Sequence, residues 1–220
     1  MLAPLMAGDL DTVLFDLDGT LIDSIELIRQ SYVHTLAVHG LPQADPQFWL
    51  EGLGRPLRWQ FAQFTSDPGE VERMVATYRT HNLAHHDALV TAFPGAVDAV
   101  AELHARGLRL GIVTSKMRAG AYRGLRWCGF REEWFTAVVG ADDVREHKPH
   151  PEPCERALAL LGSHASRAVM VGDSPHDLAS GRGAGTRTAA VSWGPFPHET
   201  LRATEPDHWL DHPSDLARLA

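Results

Sequence analysis

The stretch VLFDLDGTLIDS, residues 13–24, decides how the rest of the chain is interpreted. Its first three residues are apolar and typical of a buried strand, and they lead directly into Asp16 and Asp18. Two neighbouring carboxylates repel each other and lose hydration when buried, so a cation is expected beside them. Because Asp18-Gly19 is also a common turn dipeptide, a simple turn is the alternative interpretation.

Apolar residues continue after this dipeptide at helical spacing, which favours a helix over a second strand of a hairpin. The pattern predicts a helix from Ile22 to His39, with Asp23 or Ser24 as its cap. A strand followed by a helix places the two carboxylates at the carboxyl end of the strand. Ligands of open α/β sheets bind at that end.

Composition and charge restrict the function classes. The 220 residues are 44% hydrophobic and 22% charged, with a formal net charge of −8. This balance argues against nucleic-acid binding and against an anionic membrane surface, both of which need a basic face. The opening MLAPLMAGD lacks the basic region of a secretory signal, and Cys128 and Cys154 have no metal or disulfide spacing. We therefore expect a cytoplasmic protein with two free thiols and no membrane span.

Strand-like and helical patterns alternate in the second half of the chain. Helical patterns at residues 96–107 and 152–162 lie between the apolar runs. This alternation predicts an α/β fold with a parallel sheet covered on both faces. The predicted strands after the first are Leu108 to Thr114, Phe135 to Gly140, Arg167 to Asp173 and Arg187 to Trp193.

Residues 22–93 interrupt this alternation. Helical patterns at Ile22–His39, Pro56–Phe64 and Gly69–Leu83 are separated by glycine- and proline-containing breaks, and no convincing strand is present. We predict an all-helical cap domain at residues 22–93 and a core domain formed by residues 1–21 and 94–220.

Each predicted strand ends in polar residues. Asp16 and Asp18 follow the first strand, Thr114, Ser115 and Lys116 follow the second, Lys148 follows the third, and Asp173 and Asp177 follow the fourth. In a parallel sheet these groups converge at one edge. Three carboxylates with few cations predict a hard divalent ion such as Mg²⁺, and the hydroxyl, lysine and loop N–H groups suit a phosphate. An aspartate can attack phosphorus, and a second carboxylate can carry the proton.

The segments DLDGT, VTSK, HKPHPEP and GDSPHDL match, in order, the four motifs of the haloacid dehalogenase-like hydrolases. The resemblance implies a Rossmann-like core with strand order 5-4-1-2-3 and a helical cap inserted after the first strand. It implies that Asp16 is the nucleophile and Asp18 the general acid and base. Thr114 and the Ser115 backbone would bind the phosphoryl group, and Lys148 would neutralise it.

The same resemblance implies the metal ligands. Asp16, the Asp18 carbonyl and Asp173 would bind Mg²⁺, and Asp177 would orient metal-bound water, support the loop or simply cap the next helix. Asp18 favours phosphatases and phosphomutases over dehalogenases within the family.

Beyond the motifs, the chain resembles the phosphoglycolate phosphatase-like branch and, within it, the PpaX-type pyrophosphatases, in part through HHDALV at residues 85–90. This implies inorganic pyrophosphate as substrate. Arg55, Arg58 and Lys116 are candidate donors to its second phosphate. The alternatives are a phosphoglycolate or other small phosphomonoester phosphatase, a phosphomutase, and a non-catalytic phosphate-binding relative. We expect a monomer or weak homodimer.

Overall fold

A parallel sheet forms the centre of the protein. The computed structural model describes residues 10–219, and for residues 46 and 47 the backbone alone. Within this range six strands pair in the order β5-β4-β1-β6-β7-β8, and β2 and β3 form a separate antiparallel pair. The strands are β1 Thr12–Phe15, β2 Ile22–Asp23, β3 Thr91–Ala92, β4 Arg109–Val113, β5 Phe135–Val139, β6 Ala168–Gly172, β7 Arg187–Val191 and β8 His208–Leu210.

The observed order confirms the predicted α/β fold. Strands β1, β4, β5, β6 and β7 are the five predicted strands, so the sheet runs 5-4-1-2-3 in their numbering. Strand β8 extends the sheet at the β7 edge and was not predicted. Three residues are too few to show an alternating pattern.

Helices cover both faces of the sheet and form most of residues 22–93. The helices are α1 Ile25–Val38, α2 Pro46–Gly52, α3 Leu57–Phe61, α4 Pro68–Leu89, α5 Ala96–Ala105, α6 Arg118–Trp127, α7 Glu152–Leu161, α8 Pro175–Gly183 and α9 His198–Arg202. Short 3₁₀ turns lie at Glu132–Trp134, Ala165–Arg167 and Pro213–Arg218.

The strands are buried on both faces, which explains their continuous apolar runs. Side chains alternate across β1, so that Val13 and Phe15 enter one core cluster and Leu14 enters the opposite one. Burial on both sides leaves only the strand ends open to polar chemistry.

The helical segment, residues 22–93, has a core of its own. Tyr32 on α1 stacks on Phe61 on α3 with ring centroids 5.3 Å apart, and Tyr78 on α4 meets Phe61 edge-on. Asp67 caps α4 by accepting a 2.9 Å hydrogen bond from the Gly69 amide. The division into cap and core domains stays a prediction.

Two expectations for this segment were wrong. The helix begins at Ile25 rather than Ile22, because the amides of Leu21 and Ile22 both donate to the Leu17 carbonyl and close a turn there. Ile22 then pairs with Ala92 in the β2–β3 ribbon, inside a segment predicted to contain no strand. Two-residue strands leave no periodic signal.

Both cysteines are free thiols, as predicted. Over the residues that the structure describes, every helix is too short or too polar to cross a membrane. The expectation that MLAPLMAGD is not a secretory signal concerns residues outside the described range.

Candidate active site

Three buried carboxylates meet at the carboxyl edge of the sheet. Asp16 follows β1, Asp173 follows β6, and Asp177 lies in the first turn of α8. Each offers an oxygen, and these oxygens lie within 4.8 Å of one another. The neighbouring strands β1 and β6 bring the first two together, and the strand-to-helix turn adds the third.

Lys148 joins two of these carboxylates. Its Nζ donates to Asp16 Oδ1 at 2.7 Å, to Asp177 Oδ1 at 2.5 Å and to the Val113 carbonyl at 3.1 Å. The lysine is 3% exposed, so these acceptors replace the water that its ammonium has lost. The sequence-predicted lysine thus reaches the nucleophile candidate from a loop 132 residues away in the chain.

One lysine does not balance three carboxylates. Burial raises the pKa of Asp16 to about 7, with Asp177 and Asp18 acting in the same direction and Lys148 against it. Burial, followed by Asp177 and Asp16, also raises the pKa of Asp173. A divalent cation would remove this repulsion, and an all-oxygen donor set suits a hard ion. The described residues therefore fit a divalent metal site.

Glycines allow the chain to approach Asp173 closely. Gly19 has φ +84, and a Cβ there would lie 2.4 Å from Asp173 Oδ2. At Gly194 a Cβ would lie 2.3 Å from the Asp173 Cβ. Only glycine fits at either position without displacing this carboxylate. Gly194 was not singled out from the sequence, since it lies outside the four motifs.

Asp18 points to a different set of partners from Asp16. Its Oδ1 accepts hydrogen bonds from Lys116 Nζ and from Ser24 Oγ. The structure therefore places the Asp18 carboxylate outside the three-aspartate cluster, in keeping with a proton carrier rather than a carboxylate ligand. It also assigns Lys116 a partner within the protein.

Asp177 caps α8 and also contacts Lys148. Its Oδ2 accepts from the Ser174 amide at 3.1 Å, and its own amide donates to Ser174 Oγ at 3.3 Å, which forms a capping box at the start of α8. Its other oxygen, Oδ1, accepts from Lys148. Helix capping therefore holds the carboxylate in the cluster.

The loop after β4 carries the candidate phosphoryl-binding groups. Thr114 is buried, and its Oγ1 accepts a 3.2 Å hydrogen bond from the Lys116 amide. The Ser115 hydroxyl donates to the Gly54 carbonyl at 2.5 Å. The Ser115 side chain is thus bonded to the helical segment, which the sequence did not indicate.

The two candidate arginines of the helical segment differ. The Arg58 guanidinium forms a two-point ion pair with Glu72 on the surface, where Arg58 is 62% exposed. This pairing gives the Arg58 guanidinium an anionic partner within the protein. Arg55 lies over the Trp59 ring, with its guanidinium carbon 4.9 Å from the centroid, and its Nε is buried without a hydrogen-bond partner.

His176 is a site neighbour that the sequence did not reveal. A Cβ on Gly54 would lie 3.6 Å from the His176 ring, and the pKa of His176 is lowered by burial first and then by the Arg55 charge. A histidine within GDSPHDL has no distinctive spacing, so only the fold could identify it.

Comparison with known proteins points to the same family as the sequence motifs. The family model for haloacid dehalogenase-like hydrolases matches residues 13–191. The chain is 42% identical to the pyrophosphatase PpaX of Halalkalibacterium halodurans over 94% of this chain and 95% of that one.

Solved structures agree with this match. A haloacid dehalogenase-like hydrolase from Bacteroides fragilis superposes with a TM-score of 0.87 at 25% identity, covering 94% of this chain and 99% of that one. CbbY from Rhodobacter sphaeroides, solved with phosphate, gives 0.80 at 25% identity, covering 94% and 96%. With the fold, the buried carboxylates and the matched motifs in agreement, this chain belongs to the haloacid dehalogenase-like hydrolases and is a phosphatase-type enzyme.

Proposed function

We propose that this enzyme hydrolyses inorganic pyrophosphate in a Mg²⁺-dependent reaction with an aspartyl-phosphate intermediate on Asp16. The observation that carries the reaction type is the 2.7 Å contact between Lys148 Nζ and Asp16 Oδ1, inside a cluster of buried carboxylates at the sheet edge. A cytoplasmic location and a monomer or weak homodimer remain part of the proposal.

Asp16 acts as the nucleophile. Lys148 holds Oδ1, which leaves Oδ2 to form a bond to phosphorus while the bond from phosphorus to the leaving oxygen breaks. Asp18 gives a proton to the leaving oxygen. In the second half-reaction Asp18 takes a proton from the water that attacks the aspartyl-phosphate, which releases phosphate and regenerates Asp16.

The remaining groups bind the metal ion and the phosphoryl group. Asp16, Asp173, Asp177 and the Asp18 carbonyl would hold Mg²⁺, which supplies positive charge against the carboxylates and the transferring phosphoryl group. The Thr114 hydroxyl and the Ser115 amide donate to phosphoryl oxygens, and Lys148 adds its own charge beside Asp16.

Arg55 is the observation that favours a substrate with a second anionic group. Its Nε is buried, has no partner within the described residues, and lies in the turn that follows α2. A phosphate beyond the scissile bond would give this group an acceptor. The 42% identity to a relative named as a pyrophosphatase supports the same substrate. Phosphoglycolate is the second candidate, because its carboxylate would accept a hydrogen bond from the same donor.

Phosphate release over a panel of substrates tests the proposal. We expect pyrophosphate to have the highest kcat/KM among pyrophosphate, phosphoglycolate, sugar phosphates and an aryl phosphate. A tenfold advantage for phosphoglycolate, about 1.4 kcal/mol of transition-state binding, would replace pyrophosphate as the assignment. Transfer of phosphate to a sugar phosphate without net release would indicate a mutase, and binding without turnover a non-catalytic relative.

The variants Arg55→Ala and Arg58→Ala form a matched pair for the substrate contact. Arg55→Ala should raise the KM for pyrophosphate about tenfold or more and leave that for the aryl phosphate nearly unchanged. Arg58→Ala should change neither, because Glu72 already holds its guanidinium on the surface.

A further inference from the structure

Three histidine rings form a stack on the helical segment. The ring of His34 on α1 lies against the ring of His81 on α4, with centroids 4.4 Å apart and an angle of 26° between the planes. The His81 and His85 rings are 4.1 Å apart at 22°. His34 and His85 are exposed, and His81 is partly buried. The proposed reaction uses none of the three, so the stack needs a separate explanation.

The antiparallel packing of α1 and α4 brings these side chains together. His39, just after α1, contacts Glu70 in the first turn of α4, whereas Ser31, earlier on α1, contacts His81 in the second half of α4. His81 and His85 are four residues apart, which places them one above the other on the same face of the helix. The neighbouring helix therefore adds a third imidazole beside an i, i+4 pair.

Hydrogen bonds fix which nitrogen of two rings carries the proton. His85 Nδ1 lies 2.9 Å from the His81 carbonyl, which can only accept, so this nitrogen is the donor. His81 Nδ1 lies 3.1 Å from Ser31 Oγ. The Ser31 hydroxyl already donates to the Leu27 carbonyl at 2.7 Å, so its oxygen accepts from His81. In both neutral rings the lone pair is therefore on Nε2.

This pattern is the one that metal-binding histidines have in proteins. Such a ring donates its second N–H to a carbonyl or another polar group, which fixes the tautomer and the direction of the free nitrogen. Imidazole suits ions such as Zn²⁺, whereas Mg²⁺ prefers oxygen ligands. Two nitrogens bound tetrahedrally to Zn²⁺ at about 2.0–2.1 Å lie about 3.3 Å apart. The 4.1 Å spacing of the His81 and His85 rings is close to that value.

His34 has to turn to become a third ligand. Among the described residues, three ligand atoms lie within 4.8 Å of one another only at the aspartate cluster, so the stacked rings do not yet converge on one point. The His34 ring is exposed, and within the described range no hydrogen bond fixes it. A rotation about its side-chain bonds is therefore open to it.

We propose that His81 and His85, through Nε2, and His34 bind one Zn²⁺ ion, with water as the fourth ligand. The ion would link α1 to α4 and so stabilise the helical segment. This site takes a different class of ion from the carboxylate cluster and does not depend on the proposed reaction.

Calorimetric titration with Zn²⁺ in excess Mg²⁺ tests the site. We expect one Zn²⁺ per chain, with the affinity lowered about tenfold or more in His81→Ala and in His85→Ala, and lowered less in His34→Ala. The control is His164→Ala, which removes an exposed histidine outside the stack and should bind as wild type does. Equal affinity in all the histidine variants, or loss of Zn²⁺ binding in Asp16→Asn instead, would overturn the proposal.

Nitrogen NMR of protein with labelled histidine identifies the ligand atom. Zn²⁺ should shift the Nε2 signals of His81 and His85 and leave both Nδ1 atoms protonated. Unshifted Nε2 signals at equimolar Zn²⁺, or a shift at Nδ1 instead, would overturn the assignment.

Thermal unfolding tests the link between the helices. Because the ion binds the folded arrangement of α1 and α4, Zn²⁺ in excess Mg²⁺ should raise the Tm of wild type and of His164→Ala. It should leave the Tm of His85→Ala unchanged, and His85 is exposed, so this variant is expected to fold. The same rise in His85→Ala would contradict the proposal.

Discussion

Lys148 Nζ lies 2.7 Å from Asp16 Oδ1, and both side chains are buried. The pair joins the strand β1 to the loop after β5, two parts of the sheet that are not adjacent in the strand order. The lysine therefore supports both the charge balance and the assembly of the site.

Replacing Lys148 with methionine keeps the length of the side chain and removes its charge. We expect activity to fall about a thousandfold or more, and stability without metal to fall by about 3–5 kcal/mol because buried carboxylates lose their counter-charge. Mg²⁺ should recover part of that stability. Thermal unfolding in EDTA and in Mg²⁺ measures both effects. A metal-free Tm equal to that of wild type would contradict the charge argument.

Asp16→Asn should abolish turnover, since an amide does not attack phosphorus, while the protein stays folded. Asp18→Asn should slow both half-reactions, because both use the same proton carrier. Burst-phase and steady-state measurements of phosphate release test the effects of both variants. Near wild-type release by Asp16→Asn at matched Tm would rule out the mechanism.

The raised pKa of Asp16 predicts a pH dependence of metal-free stability. The folded protein keeps a proton on Asp16 up to about pH 7, whereas the unfolded chain releases it near about pH 4. The contribution of Asp16 to stability is therefore most favourable at low pH and falls as pH rises between these values. The Tm of wild type minus that of Asp16→Asn, measured in EDTA, should decrease from pH 5 to pH 7.5. A constant difference would show that Asp16 titrates normally.

Metal identity should matter for turnover. We expect activity with Mg²⁺, none in EDTA, and inhibition by Ca²⁺. Calcium accepts more oxygen ligands and often takes both oxygens of a carboxylate, which would engage the Asp16 oxygen that Lys148 leaves free. Phosphate release with each ion, over a titration, measures this. Equal rates with Mg²⁺ and Ca²⁺ would be inconsistent with it.

Gly19 and Gly107 offer a matched comparison of close packing. Both have positive φ, +84 and +82, so alanine costs about 1–2 kcal/mol of backbone strain at each. Only at Gly19 would the new Cβ meet Asp173 Oδ2, while Gly107 has open space. Gly19→Ala should lose Mg²⁺ binding and activity, and Gly107→Ala should keep both. Calorimetric titration with Mg²⁺ measures the affinity of each variant for the ion. Equal Mg²⁺ affinity in the two variants would refute the packing argument.

Local patterns in the sequence determined the fold class and the groups at the strand ends. Strands buried on both faces must be apolar throughout, so β1, β4, β5, β6 and β7 were recognisable, and parallel strands must end at a common edge, so Asp16, Thr114, Lys148 and Asp173 could be expected together. Resemblance to a family with the same four motifs supplied their roles.

Tertiary structure alone decided contacts between distant segments. Arg58 was a candidate from the sequence, and its pairing with Glu72, fourteen residues away, was visible only in the structure. His176 and Gly194 follow no periodicity, and the Ser115 hydroxyl reaches Gly54 across 61 residues. The direction of a side chain depends on which neighbours compete for its hydrogen bonds and volume, and those neighbours are brought together only when segments distant in the chain pack against each other.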